Sequence, residues 1–167
     1  MAMNPVEAAF RRLTLGVYVV GVAGDGRADA FTAAWVMQAS FDPLLLALSI
    51  NREHASYRLL HAGGGFVVNL LKQGQLDLAR AFGTLSGRDR DKLALVGWRP
   101  GRGGAPILEE ALGYFDCRLE SSMPAGDHDL VLGRVLEARL LDPKAVPLTY
   151  AETGDMDGSS ALYPAEL

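Results

Sequence analysis

The 167-residue chain reads as a mostly-β protein, an antiparallel barrel of about six strands with short helices at its edges. Three observations point there. Short runs rich in β-branched and aromatic residues, such as "VYVVGVA" (17–23) and "FVVNLL" (66–71), recur between turn signals. The turns "GDGR" (24–27) and "PAGDHD" (124–129) join neighbouring runs as hairpins. The helical stretches are too short to build a covering layer, so closing the sheet on itself is the available way to protect its edges.

Each element follows in order. "NPVEAAFRRL" opens a helix, with Asn4 at the N-cap, Pro5 at the first position and Glu7 placed to complete a capping box. Val6, Phe10 and Leu13 give that helix an apolar face. After Gly16 come strand 17–23, the hairpin turn, and one long strand over 28–40, ended by Asp42-Pro43. "LLLALSI" (44–50) is continuously apolar and predicts a strand covered on both faces. "HASYRLLHAG" (54–63) predicts a short helix stopped by glycines 63–65, and "GQLDLARAFGT" (74–84) a second one after strand 66–71. The polar stretch 86–104 reads as an irregular connector. Two long strands, 111–123 and 130–141, close the pattern. Phe82 and Cys117 read as core residues. The expectation is one domain over 1–167, with 146–167 as a tail.

Composition narrows the function classes. With 16 Lys and Arg against 20 Asp and Glu, the chain is not a basic nucleic-acid surface. The single cysteine excludes an internal disulfide, and His54, His61 and His128 lack ligand spacing, so no metal is expected. "MAMNPVEAAF" has no basic region followed by an apolar run, and no apolar stretch is long enough to span a bilayer. These features predict a reduced, cytoplasmic protein.

Several segments together resemble one family. "FTAAWVMQASFDPLLLALSI" (31–50), "FVVNLL" (66–71), "LARAFG" (78–83), "DKL" (91–93) and "AGDHDLVLGRV" (125–135) occur in an order and spacing similar to the flavin reductases with an FMN-binding split barrel. The chain also resembles the flavin-reductase module at the C-terminus of diflavin flavoproteins. The resemblance implies a six-stranded Greek-key split barrel, a homodimer with the flavin near the subunit interface, FMN as cofactor and NADH or NADPH as electron donor.

The residues suit a flavin on their own terms. At Thr32, Ala33, Ala34 and Trp35 small side chains let a flat ring approach backbone N–H groups, while Thr32, Gln38 and Ser40 add donors and acceptors. The competing reading of the two alanines is tight sheet packing. "SINREHAS" (49–56) leads from a buried strand into a helix N-terminus, which suits a phosphate. The resemblance makes that loop the FMN-phosphate site, with Arg52, His54 and Ser56 as its ligands and Ser49 and Asn51 toward the ring or ribityl chain. Lys92 matches a family position near the phosphate; a solvated charge run is the alternative.

His128, between Asp127 and Asp129, resembles the element that meets the nicotinamide in the family. Hydride transfer from nicotinamide C4 to flavin N5 needs the rings stacked, and an imidazole there can hold the carboxamide. A histidine bonding its own turn is the alternative. The tail "VPLTYAETGDMDGSSALYPAEL" departs from the aromatic, basic ending frequent in the family. Yet Met156, Ala161, Leu162 and Tyr163 are too apolar for a purely solvated terminus, so 154–167 is expected to pack at the flavin or across the dimer. The implied function is NAD(P)H:flavin oxidoreduction with His128 as the catalytic residue, the reduced flavin serving oxygen, ferric iron or a partner monooxygenase. The rivals are a flavoredoxin-like electron carrier that nicotinamide does not reduce and an interaction module without flavin.

Overall fold

A computed structural model of the chain describes residues 4–85 and 90–167. Strands β1 (Tyr18–Gly24) and β2 (Arg27–Ala33) form the first hairpin, and β3 (Val36–Ser40) and β4 (Leu45–Asn51) the second. Asp25 and Gly26 both take positive φ, 52° and 75°, at the β1–β2 turn. That geometry matches the strand twist and explains the Asp-Gly pair. Helix α1 (Pro5–Phe10) precedes β1, and α2 (Ala55–Gly63) leads into β5 (Gly65–Leu70). Helix α3 (Leu76–Thr84) is followed by a 3-10 turn (Lys92–Leu95), β6 (Trp98–Pro100) and β7 (Pro106–Leu108). The long hairpin β8 (Gly113–Ala125) and β9 (His128–Leu140) follows.

The main sheet runs β2-β1-β5-β8-β9-β4-β3, with every pairing antiparallel. Its two end strands, β2 and β3, are joined only by Ala34 and Trp35. Three peptide steps from Ala33 to Val36 reach at most about 11 Å, so the sheet must curl until its edges nearly meet. They do not pair with each other, and the barrel is split there.

Period-2 alternation sorts the side chains. Val20 and Val22 of β1 point into the barrel with Phe31, Leu46, Leu48, Ile50, Phe66, Val68 and Val131, and Leu59 and Leu60 of α2 close one end. Val17 and Val19 point outward under Ala79 and Phe82 of α3 and Leu93. Cys117 lies in the barrel core, and burial pushes its thiol up to about 12.

Three sequence expectations change. The run 28–40 is two strands, because Ala34 and Trp35 leave the ladder to cross the split, so the main sheet has seven strands. The expected irregular connector is ordered where it is described: Asp91 caps the 3-10 turn through Leu93 N, and β6 pairs with β7. Positions 86–89 lie outside the described residues. Glu7 does not complete a capping box. Asn4 Oδ1 accepts from Val6 N at 2.8 Å, while Glu7 accepts from Arg11 and from Ser160 of the tail. Ser160 and Arg11 hold the Glu7 carboxyl below the usual carboxylate range. No described helix is long and apolar enough to cross a membrane.

Candidate active site at the mouth of the split

The split places Ala34 and Trp35 where two edges part, and their backbone has no ladder to join. Among the described residues, no hydrogen bond engages the N–H of Ala34 or Trp35, while Trp35 O accepts from Ser49 N at 3.0 Å. Unpaired donors at a sheet gap suit a ligand with acceptor edges. Thr32 behaves differently from the sequence expectation, since its hydroxyl donates to Ala79 O of α3 at 2.6 Å. A methyl on Gly83 would stand 3.4 Å from Thr32 Cβ and 3.6 Å from Met156 Cε, so α3 and the tail both press on the rim.

Register brings the remaining groups to this mouth. On β4 the core residues Leu46, Leu48 and Ile50 point inward, which turns Ser49 and Asn51 to the outer face. Asn51 pairs directly across from His128 of β9. The His128 ring lies 4.9 Å from that of Trp35 at 44°, and its Nδ1 is 2.7 Å from Asp127 Oδ1. Nε2 is then the ring nitrogen outside that contact. The His128 hydrogen bond holds the Asp127 carboxyl below its ordinary range.

The turn carrying His128 is fastened to the start of α2. Arg52 donates to Gly126 O at 2.6 Å, to His128 O at 3.0 Å and to Asp129 Oδ1 at 2.7 Å. Tyr57 OH donates to Asp129 Oδ2 at 2.6 Å. Tyr57 first, then Arg52, holds the Asp129 carboxyl below its usual range, and the same bond pushes the Tyr57 hydroxyl up.

The other expected phosphate residues lie on the opposite side of the α2 turn. His54 is the N-cap, its Nδ1 accepting from Ser56 N at 3.2 Å, and its ring lies 4.6 Å from Phe31. Ser56 is fully buried, with Oγ 3.3 Å from Asp29 Oδ2. Lys92 Nζ is 3.6 Å from Asp29 Oδ1 and 5.7 Å from the centre of the Phe82 ring. Burial pushes the Lys92 ammonium down, against the opposing pull of Asp29. Gln38 and Ser40 sit three and five residues along from Trp35 on β3, roughly 10–16 Å away at strand rise. The structure therefore gathers Ala34, Trp35, Ser49, Asn51, Arg52 and His128 at one mouth, and leaves Ser56 and Lys92 behind it and Gln38 and Ser40 down the strand.

Tyr57 and Tyr150 were not readable as site groups in the sequence, whereas Met156 and Tyr163 belong to the tail expected to pack at the flavin or across the dimer. A cavity of about 380 Å³ lies beside Trp35 and Ser49, walled by Phe10 and Leu13 from the N-terminal segment and by Tyr150 and Tyr163 from the tail. Phe10 and Tyr163 rings are 5.5 Å apart, and Arg11 donates to Gly154 O at 2.7 Å and Ser160 Oγ at 2.8 Å. The apolar face expected on α1 is thus turned to this cavity and the tail, with Phe10 and Leu13 half exposed.

This fold and mouth have known counterparts. Residues 10–159 match the flavin reductase like domain. The chain belongs to the flavin reductase like family. A diflavin flavoprotein A from Nostoc sp. is 34% identical over 142 residues, covering 84% of this chain and 25% of that protein. The chain spans less than two thirds of the length of the first curated relatives it matches. Among solved structures, an FMN-binding protein from Thermus thermophilus superposes with TM-score 0.75 at 31% identity, covering 86% of this chain and 80% of that one. An NADH:FAD oxidoreductase from Streptomyces globisporus does so with TM-score 0.77 at 27% identity, covering 86% and 80%.

Proposed function

We propose that the chain binds FMN at the mouth of the split and acts as an NAD(P)H-dependent flavin reductase. The observation that carries this reading is the pair of unengaged N–H groups at Ala34 and Trp35, set beside a histidine held on a fastened turn. The matched family and the neighbours named for FMN binding and for NADH:FAD oxidoreduction support it. A bound flavin supplies the chemistry, because its N5 accepts hydride from a nicotinamide.

The chain supplies binding and order. Ala34 and Trp35 N–H donate to the polar edge of the ring, and Ser49 and Asn51 extend that edge across β4. The turn from Glu53 to Ser56 at the start of α2 receives the phosphate, favoured by the helix dipole, while the Arg52 guanidinium is committed to the hairpin tip. Ser56 and Lys92, tied to Asp29, fix that turn from inside. The walls made by Phe10, Leu13, Tyr150 and Tyr163 keep water from the ring face. His128 Nε2 meets the carboxamide of the nicotinamide.

Electrons then leave to oxygen, ferric iron or a partner monooxygenase in the cytoplasm. The working unit is a homodimer, since Met37, Phe41, Leu44 and Leu140 leave apolar surface exposed on β3, in the β3–β4 turn and at the end of β9.

Anaerobic titration tests the reading in two steps. FMN added to the purified protein is expected to bind, seen as quenched flavin fluorescence, and NADH or NADPH is expected then to bleach its visible absorbance. Binding without bleaching would replace the reductase with an electron carrier. No binding would remove the flavin.

A further inference from the structure

Arg52 spends its guanidinium on the protein's own hairpin tip, although the sequence offers it for a phosphate. One nitrogen, Nη1, reaches His128 O and Asp129 Oδ1, and the other, Nη2, reaches Gly126 O. The three acceptors span the β8–β9 turn from its glycine to the first residues of β9. Two are backbone carbonyls, which a lysine's single ammonium could not hold together in this fork geometry. Asp129 fixes the guanidinium in turn, because its second oxygen is already taken by Tyr57 OH at 2.6 Å and faces Ser122 Oγ at 3.4 Å. The fastening is anchored in α2, whose Leu59 and Leu60 are part of the barrel core.

The consequence falls on His128. Its own backbone carbonyl is one of the three acceptors, so the height of its ring over Trp35 is set by Arg52. The strand ladders hold His128 through Asn51 and Ala125, and the Arg52 fork adds a tie to the two-residue turn beyond them, where Gly126 takes a left-handed φ of 67°.

We infer that Arg52 is a positioning residue, which with Asp129 and Tyr57 holds the His128 turn at the height where the imidazole meets the nicotinamide. This rests on the proposed reading that His128 faces the nicotinamide. The device acts on nicotinamide, not on FMN. Its loss lowers the efficiency of hydride transfer while the flavin stays bound.

Stopped-flow reduction of the FMN-loaded protein by NADH and NADPH tests it. Arg52→Ala is expected to lower the reduction efficiency about tenfold, the scale of one charged hydrogen-bond cluster. FMN affinity and reduction by dithionite stay unchanged. Tyr57→Phe gives a smaller loss of the same kind, and it keeps the test sound if Arg52→Ala folds poorly. In the doubly substituted Arg52→Ala/His128→Ala protein, the losses are expected not to add, because both act through one imidazole. A purely structural Arg52 would give additive losses, or a lower melting temperature with normal nicotinamide kinetics, and either overturns the inference. If His128→Ala alone leaves reduction unchanged, the reading of His128 falls first, and the role of Arg52 with it. A loss for His128→Ala with none for Arg52→Ala or Tyr57→Phe overturns the positioning role alone.

Discussion

The two sides of the α2 N-terminal turn put similar polar residues to opposite uses. On the inner side, Asp29, Ser56 and Lys92 are buried among core residues, and each polar group is consumed by another. On the outer side, Arg52, Tyr57 and Asp129 are just as tightly bonded, but what they fasten is a solvent-facing hairpin tip that carries His128. The inner cluster holds the core, and the outer cluster holds the hairpin tip that carries His128. Residues a few positions apart in one loop therefore divide between the core and the hairpin tip, according to which way the turn aims them.

The largest expected effect separates the clusters. Lys92→Ala leaves the Asp29 carboxylate buried without its cation, which costs about 3–5 kcal/mol of unfolding free energy. Removing both charges in Asp29→Asn/Lys92→Met restores most of it. A denaturant melt showing a loss below about 1 kcal/mol for Lys92→Ala would make the cluster solvated and not structural.

Ser56→Ala sharpens the division at smaller scale. The lost hydroxyl contact to Asp29 is worth about 0.5–1.5 kcal/mol of stability. With Ser56 acting only from inside, FMN and riboflavin affinities fall little and equally. A selective loss for FMN, seen by parallel fluorescence titrations, would return Ser56 to direct phosphate contact.

Acid acts on the outer cluster through the Asp129 carboxylate. The native Asp129 carboxyl titrates below its ordinary value of about 3.9, because Tyr57 and Arg52 bond its ionised form and Ser122 faces it. The unfolded chain therefore binds the proton first. This contribution is fully present above the ordinary value and is lost as pH falls through the lower native one. The expected sign is that the wild-type melting temperature drops more steeply in that window than that of Asp129→Asn. Parallel curves for the two proteins would show that the carboxylate is not engaged.

Much of this was legible in the sequence. The β-branched and aromatic runs 17–23 and 66–71 and the continuous apolar run 44–50 mark strands because such side chains fit a buried pleated surface, and "GDGR" marks its turn because Asp25 and Gly26 tolerate positive φ. The break at Ala34 and Trp35 was not legible, since alanine and tryptophan fit a strand as well as a crossing; only the curl of the whole sheet forces it. The fork of Arg52 onto the hairpin tip depends on the register that sets Asn51 opposite His128, a pairing separated by nearly half the chain. The same holds for Ser56, where a helix N-terminus signals an anion site, but the hydroxyl's direction is decided by Asp29 on another strand. The apolar residues of the tail read as too many for a solvated terminus, and Tyr163 does line the cavity. The bonds of Arg11 to Asp155 and Ser160 that hold the tail there were not legible, because they join residues at opposite ends of the chain.

The most direct measurement is rapid reduction of the FMN-loaded His128→Ala protein by NADH and NADPH, with dithionite as control and a thermal melt alongside. The expected result is a loss of about 1–3 kcal/mol in kcat/KM, with FMN affinity, dithionite reduction and melting temperature near those of the wild type. Unchanged hydride transfer together with a lowered melting temperature would contradict it, making His128 a residue of its own turn and nothing more.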